Sequence, residues 1–129
     1  MIVLSLEHLL EIHSLVLAET DGGEGLRDLG RLEAAIAVQT QNVFGEELYS
    51  ATTDKAAAII RGIIADHPFV DGNKRTAMLA GLTLLKLNNI EFQTSPGEIE
   101  NYAVEIATKH IDIKEISNWL NARLAQNRA

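Results

Sequence analysis

Apolar positions recur along most of this chain at the three-and-four spacing of amphipathic helices, and the pattern predicts six of them. The first starts at a Ser5 cap and places Leu6, Leu9, Leu10, Val16 and Leu17 on one stripe, with Glu7, His8, Glu11 and Ser14 elsewhere. His13 falls on that stripe and reads as a core histidine with a satisfied ring nitrogen. A second helix covers residues 28–38, with Leu29, Leu32, Ala35 and Ile36 on one side and Gln39 as a further candidate. Its charged members Arg31 and Glu33 read as a solvated face or a packing ion pair. The third helix, residues 53–66 behind a Thr53 cap, is apolar nearly all round, interrupted by Lys55 and Arg61. Residues 73–88 repeat that pattern, broken by Thr83 and Lys86. Helices without a polar face belong in an interior, so these two are predicted to be central.

The fifth helix follows Ser95-Pro-Gly-Glu98, which reads as a cap, a proline at the first helical position and an acid three residues past the cap. It turns Ile99, Tyr102, Ala103, Ile106 and Ala107 inward. Asp112-Ile-Lys-Glu115 repeats the capping pattern for a sixth, facing the core with Ile113, Ile116, Trp119, Leu120 and Leu124. His110, in the turn between them, reads as solvated. Residues 20–25 form a glycine-rich loop. Residues 39–52 have no clean period, and in a compact domain such a long irregular connection is often functional. Its aromatics Phe44 and Tyr49 read first as buried anchors and second as contacts to a target. Asn88-Asn89 ends the fourth helix, and residues 90–93 read as a short extended piece beside residues 2–4. The expected fold class is all-α: a single compact domain over residues 1–129, of about six helices, with two central buried ones flanking a loop.

Composition narrows the function classes. The chain has 129 residues, enough for one sizeable core, and 47% hydrophobic residues, which favours a globular state. A formal charge of −7 disfavours direct nucleic-acid binding, which needs cations to displace phosphate counterions. There is no cysteine, so neither disulfides nor thiol catalysis arises. No stretch has a signal-peptide layout or the length of a membrane span, and a cytoplasmic protein is expected.

The chemistry concentrates in the loop between the central helices, His67-Pro-Phe-Val-Asp-Gly-Asn-Lys-Arg-Thr-Ala77. Asn73, Lys74 and Arg75 fall in the first turn of the fourth helix, where unpartnered N–H groups and the dipole favour an anion. Gly72 permits a tight left-handed entry into that helix. Asp71 can hold Mg²⁺, which takes one or two carboxylates and completes its shell with substrate phosphates. His67, with an ordinary pKa of about 6.5, suits a general base. Phe69, an aromatic among polar neighbours, reads as a plug into the core. The plainer alternative is a tight turn with solvent-facing cations and His67 merely capping a helix.

His67-x-Phe69-x-Asp71-x-Asn73-Lys74-Arg75 resembles the signature of the Fic/Doc superfamily, and its Asn-Lys-Arg ending resembles the death-on-curing (Doc) branch. The resemblance extends to Gly25-Leu-Arg-Asp-Leu-Gly-Arg-Leu-Glu-Ala-Ala-Ile36 and to Lys55-Ala-Ala-Ala-Ile-Ile60. It implies an all-helical fold, His67 and Asp71 as catalytic residues, Asp71 as the metal ligand, and Gly72, Asn73, Lys74 and Arg75 around the nucleotide. By resemblance to Doc toxins, the implied activity is ATP- and Mg²⁺-dependent phosphorylation of a threonine on elongation factor Tu, neutralised by a Phd-like antitoxin.

The alternatives are Fic-type AMP transfer to a protein hydroxyl and a catalytically silent binding module. Adenylylating Fic proteins have a glycine where this chain has Lys74 and an arginine where it has Met78. Both departures disfavour their nucleotide pose, while Gly72 stands where some Doc toxins carry alanine. Residues 20–25 also fit the Ser/Thr-x-x-x-Glu-Gly pattern of the inhibitory helix in some Fic proteins. Two adjacent glycines would each cost a helix about 0.8–1.0 kcal/mol relative to alanine, so a turn is expected there. In this family the segment containing Phe44 and Tyr49 lies near the active site.

Overall fold

The computed structural model describes residues 1–20, 22–23 and 25–124. Six α-helices follow in order: α1 (Leu6–Ala18), α2 (Leu29–Ala37), α3 (Thr52–Asp66), α4 (Asn73–Leu87), α5 (Glu98–Lys109) and α6 (Ile113–Asn121). The domain is all-α apart from a small antiparallel hairpin, β1 (Asn42–Val43) with β2 (Glu46–Glu47).

Helix α3 is the hub, packed against α4 most extensively and also against α2, α5 and α6. Ala56, Ala57, Ile59, Ile60 and Ile63 are fully buried, as the absence of a polar face requires. Gly81, near the middle of α4, meets Ile60, near the middle of α3, and the Ala56 carbonyl one turn before it. A Cβ at Gly81 would lie 2.5 Å from Ile60 Cδ1, so the close crossing depends on that glycine. Across the far side, Trp119 stacks on Tyr102 at 4.2 Å and lies under the Arg123 guanidinium, which joins α6 to α5.

Polar side chains that join elements are buried with partners. Gln39 clips the amino-terminal segment by accepting from Leu4 N–H (2.8 Å) and donating to the Leu4 carbonyl (2.9 Å). Lys55 interrupts the apolar pattern of α3 yet is buried, its Nζ held by the Gln39 carbonyl and by Glu47 at 2.9 Å.

Several local expectations change. Ala51, not Thr53, occupies the cap position of α3; the helix begins at Thr52, and Thr53 is buried. Leu10, Leu29 and Leu79 remain substantially exposed because neighbouring elements do not reach them. Helix α2 gives way to a 3₁₀ turn at Val38–Thr40. Phe44 is fully exposed at the hairpin tip, in the left-handed conformation that the turn demands, and Tyr49 is half-buried. Residues 90–93 lie beside the end of α6 instead of residues 2–4: Phe92 bridges Leu124, and Gln93 N–H donates to the Arg123 carbonyl. Residues 2–4 are held by side chains, Asn88 at Ile2 and Gln39 at Leu4. Helix α5 starts two residues later than a proline at its first position would give, with Gly97 at the cap. Only the Glu98 half of the predicted box forms, accepting from Ser95 N–H. The Ser5, Asp28 and Asp112 caps form as their residue types dictate.

Candidate active site

The loop from His67 to Gly72 joins the rigid pair α3 and α4 and is held from four directions. Helix α3 ends at His67, whose φ of 48° is left-handed, a conformation usually left to glycine at this position. Arg27 offsets the strain: its Nε donates to the His67 carbonyl at 2.7 Å and its Nη2 to the Asp66 carbonyl at 2.8 Å. Arg31 Nη1 reaches the same Asp66 carbonyl at 2.8 Å. Two guanidinium groups therefore sit at the carboxyl end of α3, where the helix dipole favours cations.

The segment before α2 then runs alongside the loop. Arg27 and Asp28 N–H groups donate to the Pro68 carbonyl, Val70 N–H donates to the Gly25 carbonyl, and Leu26 bridges Phe69. From below, Phe69 is 1% exposed and stacks on His13 at 3.8 Å between ring centroids. His13 Nε2 lies 2.8 Å from the Asp71 carbonyl, which can only accept, so Nε2 carries the proton. From the α4 side, Asn73 brackets Phe69, its Oδ1 accepting the Phe69 N–H at 3.0 Å and its Nδ2 donating to the Phe69 carbonyl at 2.9 Å.

Gly72 enters α4 with φ of 78°, and a Cβ there would press to 3.3 Å from Val16. Asp71 Oδ1 accepts the Gly72 N–H at 2.8 Å and Oδ2 accepts the Gly23 N–H at 3.3 Å, so its carboxylate is aimed but stays exposed. The first intrahelical bond of α4 runs from Thr76 N–H to the Gly72 carbonyl. The amides of Asn73, Lys74 and Arg75 have no acceptor among the described residues. Arg75 rests on Glu19 at 3.0 Å, with both side chains largely exposed, a pair weak enough for an incoming anion to displace.

His67, Asp71, Gly72, Asn73, Lys74 and Arg75 all line one cleft of about 570 Å³, which is completed by Val16, Thr20, Gly22 and Val70. The site expected from the sequence therefore comes together in space, although the Asn73 side chain is committed to Phe69 and only its backbone amide is left without a partner among the described residues. The glycine-rich segment forms part of the wall; Gly22 and Gly23 are not helical, and Asp21 and Glu24 lie outside the described residues. Chemically the arrangement offers an exposed imidazole, one aimed carboxylate, two cations and three open amides, the components of a phosphate-handling site. Among the described residues no group of three or more potential metal ligands gathers, so a cation at Asp71 would draw its remaining oxygens from phosphates and water.

Arg27, Arg31 and the loop-anchoring role of His13 were not legible in the sequence. Arg27 and Arg31 lie four positions apart on either side of the α2 cap Asp28, but nothing local says that they meet a helix end some 35 to 40 positions later.

Residues 3–85 match the model of the Fic/DOC family. The chain is 37% identical over 99 residues to a protein named Toxin Doc from Mycolicibacterium smegmatis, covering 74% of this chain and 76% of that one. It is 32% identical over 120 residues to Protein kinase doc of Escherichia phage P1, covering 91% of each.

Proposed function

The chain belongs to the Fic/DOC family, and from that premise we propose that it is a Doc-type toxin: a phosphotransferase that moves the γ-phosphoryl group of ATP to a threonine of elongation factor Tu, arrests translation, and is restrained by a Phd-like antitoxin. The observation that carries this reading is the convergence of His67, Asp71, Lys74, Arg75 and three open amides on one cleft at the amino end of α4. The names of the two relatives, one a toxin and one a kinase, favour the same assignment.

His67 accepts the proton of the acceptor hydroxyl as its oxygen bonds to the γ-phosphorus. The bond from that phosphorus to the bridging oxygen breaks, and ADP leaves with the electron pair. Lys74, Arg75 and the amides of residues 73–75 neutralise charge on the phosphoryl oxygens, and such electrostatic positioning is most of what phosphoryl transfer requires. Asp71 would hold Mg²⁺, for which a single exposed carboxylate beside a phosphate cleft is a fitting donor set. Bound there, the ion would supply further charge neutralisation. Arg27 holds the His67 carbonyl and, together with Arg31, the Asp66 carbonyl before it, while His67 stays exposed.

Phosphoryl transfer is favoured over AMP transfer by two positions. Lys74 projects from the first turn of α4, where adenylylating relatives have a glycine. Met78 is 2% exposed and does not line the cleft, so no second clamp comes from that position.

The test is the intact mass of elongation factor Tu after incubation with the protein and Mg²⁺-ATP, beside a His67→Ala control. A gain of one phosphate that depends on His67 supports the reading. A gain of one AMP would reverse the nucleotide orientation, and no gain would remove this target.

A further inference from the structure

The cleft that gathers His67, Asp71, Lys74 and Arg75 also contains a hydroxyl. Thr20 is the one residue with an alcohol among the described residues that line it. A threonine of the chain itself therefore shares one space with the base and the phosphate-binding groups.

Residues on either side of Thr20 tie it to the amino end of α4. Its neighbour Glu19 holds Arg75 at 3.0 Å. Beyond it, Gly23 N–H donates to Asp71 Oδ2 at 3.3 Å, and a Cβ built on Gly22 would lie 3.0 Å from that oxygen and 3.2 Å from Thr20 Oγ1. Thr20 is thus linked both to a cation that would bind the γ-phosphate and to the carboxylate that would hold Mg²⁺.

The hydroxyl is also chemically available. Thr20 Oγ1 accepts the Gly22 N–H at 3.2 Å, which uses one of its two lone pairs and leaves the other to attack phosphorus. Its own proton meets the Leu17 carbonyl at 3.5 Å, beyond the usual range of an O–H···O bond, so little is lost in handing it on. The residue is exposed and lies past the end of α1.

On the reading that the chain is a phosphotransferase, we propose that Thr20 is a second, intramolecular acceptor whose phosphorylation shuts the site. Thr20 Oγ1 bonds to the γ-phosphorus, the bond from that phosphorus to the bridging oxygen breaks, and ADP leaves with the electron pair. The hydroxyl proton passes to His67, directly or through one water. A phosphothreonine carries a charge of about −1.5 to −2 at pH 7 and three acceptor oxygens. At position 20 it enters a cleft whose open groups are Lys74, Arg75 and the amides of residues 73–75. It displaces Glu19 from Arg75, because that exposed pair is weak. Asp71 opposes it, but two cations and three amides outweigh one carboxylate. Those are the groups that a nucleotide phosphate would use, so the modified chain competes with its own substrate.

The test reads the intact mass of the full chain before and after incubation with Mg²⁺-ATP and no other protein, and locates any phosphate by peptide mapping. One phosphate on Thr20 is expected, formed at a rate per molecule that does not change on dilution. Thr20→Val should gain none, Thr20→Ser should keep the gain, and a His67→Ala chain mixed with the parent should stay unmodified. The phosphorylated chain should bind ADP about tenfold more weakly or worse, as loss of a charge-assisted contact predicts. Phosphate on the His67→Ala chain would make the transfer intermolecular and overturn the proposal, as would phosphate only at another residue or full ADP affinity in the modified chain. A protein that labels elongation factor Tu but never itself would also sink the proposal and leave the phosphotransferase reading standing. Labelling of neither would remove that reading first, and this proposal with it.

Discussion

Replacing Asn73 with alanine separates a loop clip from a ligand contact. The Asn73 side chain is buried and makes both of its bonds to the backbone of Phe69, at 3.0 and 2.9 Å, while Phe69 itself is plugged into the core. Alanine leaves that N–H and carbonyl without partners, and each stranded group costs roughly 1–3 kcal/mol. Alanine returns a few tenths of a kcal/mol through its higher helix propensity. A net loss of about 2–4 kcal/mol is expected, with partial rehydration of the loop keeping it below the sum of the two upper values. For a chain of this size, each kcal/mol shifts Tm by about 3–5 °C, so the variant should melt about 6–20 °C lower. Asn73→Asp is not a rescue, because it keeps one acceptor but sets an oxygen against the Phe69 carbonyl. Its carboxylate in the first turn of α4 recovers only about 0.3–1 kcal/mol. Urea denaturation and thermal melts of the full chain, run beside transfer assays well below the melting range, provide the readout. If Asn73→Ala melts within a degree or so of the parent while transfer collapses, the side chain acts on the ligand and the clip reading is wrong.

Gly81→Ala should destabilise by about 1–3 kcal/mol through overpacking against Ile60, despite alanine's better helix propensity. The penalty should shrink in an Ile60→Val background that lacks Cδ1, and strictly additive effects in that double-mutant cycle would contradict the close crossing. Arg27→Ala should cost only about 0.3–1 kcal/mol of stability, as expected for an exposed cation at a helix carboxyl end. It should nevertheless lower kcat much more than it changes the KM for ATP, with Arg27→Lys recovering part; equal loss in both constants would place Arg27 at the nucleotide. Glu98 carries a pH prediction. Its bond to the Arg123 side chain, then the Ser95 N–H, hold its carboxyl below the ordinary value of 4.5. A group whose folded pKa is depressed contributes stability that is present above the unfolded pKa and lost as pH falls through the folded value. The stability gap between the parent and Glu98→Gln should therefore close as pH drops below about 4.5, and a gap unchanged down to pH 3 would show that the Arg123 contact contributes nothing to folding.

Local rules determined much of this protein. Helical periodicity located six helices, and the lack of any polar face on residues 53–66 and 73–88 identified the central pair, because burying both all-round apolar surfaces requires an interior position. The site was legible for a related reason: His67, Asp71, Gly72, Lys74 and Arg75 lie within nine positions, so a helix start and a glycine turn suffice to bring them together. His13 was readable as a buried, satisfied histidine from its place on an apolar stripe, but its partner, the Asp71 carbonyl, was not. Tertiary packing decided whatever depended on separate elements meeting. It chose Arg27 and Arg31 to hold the end of α3, seated Lys55 against Glu47 in the interior, left Phe44 in solvent, and paired residues 90–93 with the end of α6. A cavity of about 140 Å³ beside His67, walled by Arg61, Ile64 and Ala65 of α3 and by Ile106 and Ala107 of α5, belongs to the same group, since only the packing of those helices creates it. Residues close along the chain meet whatever the rest does, whereas contacts across dozens of positions are selected by which faces are left to be covered.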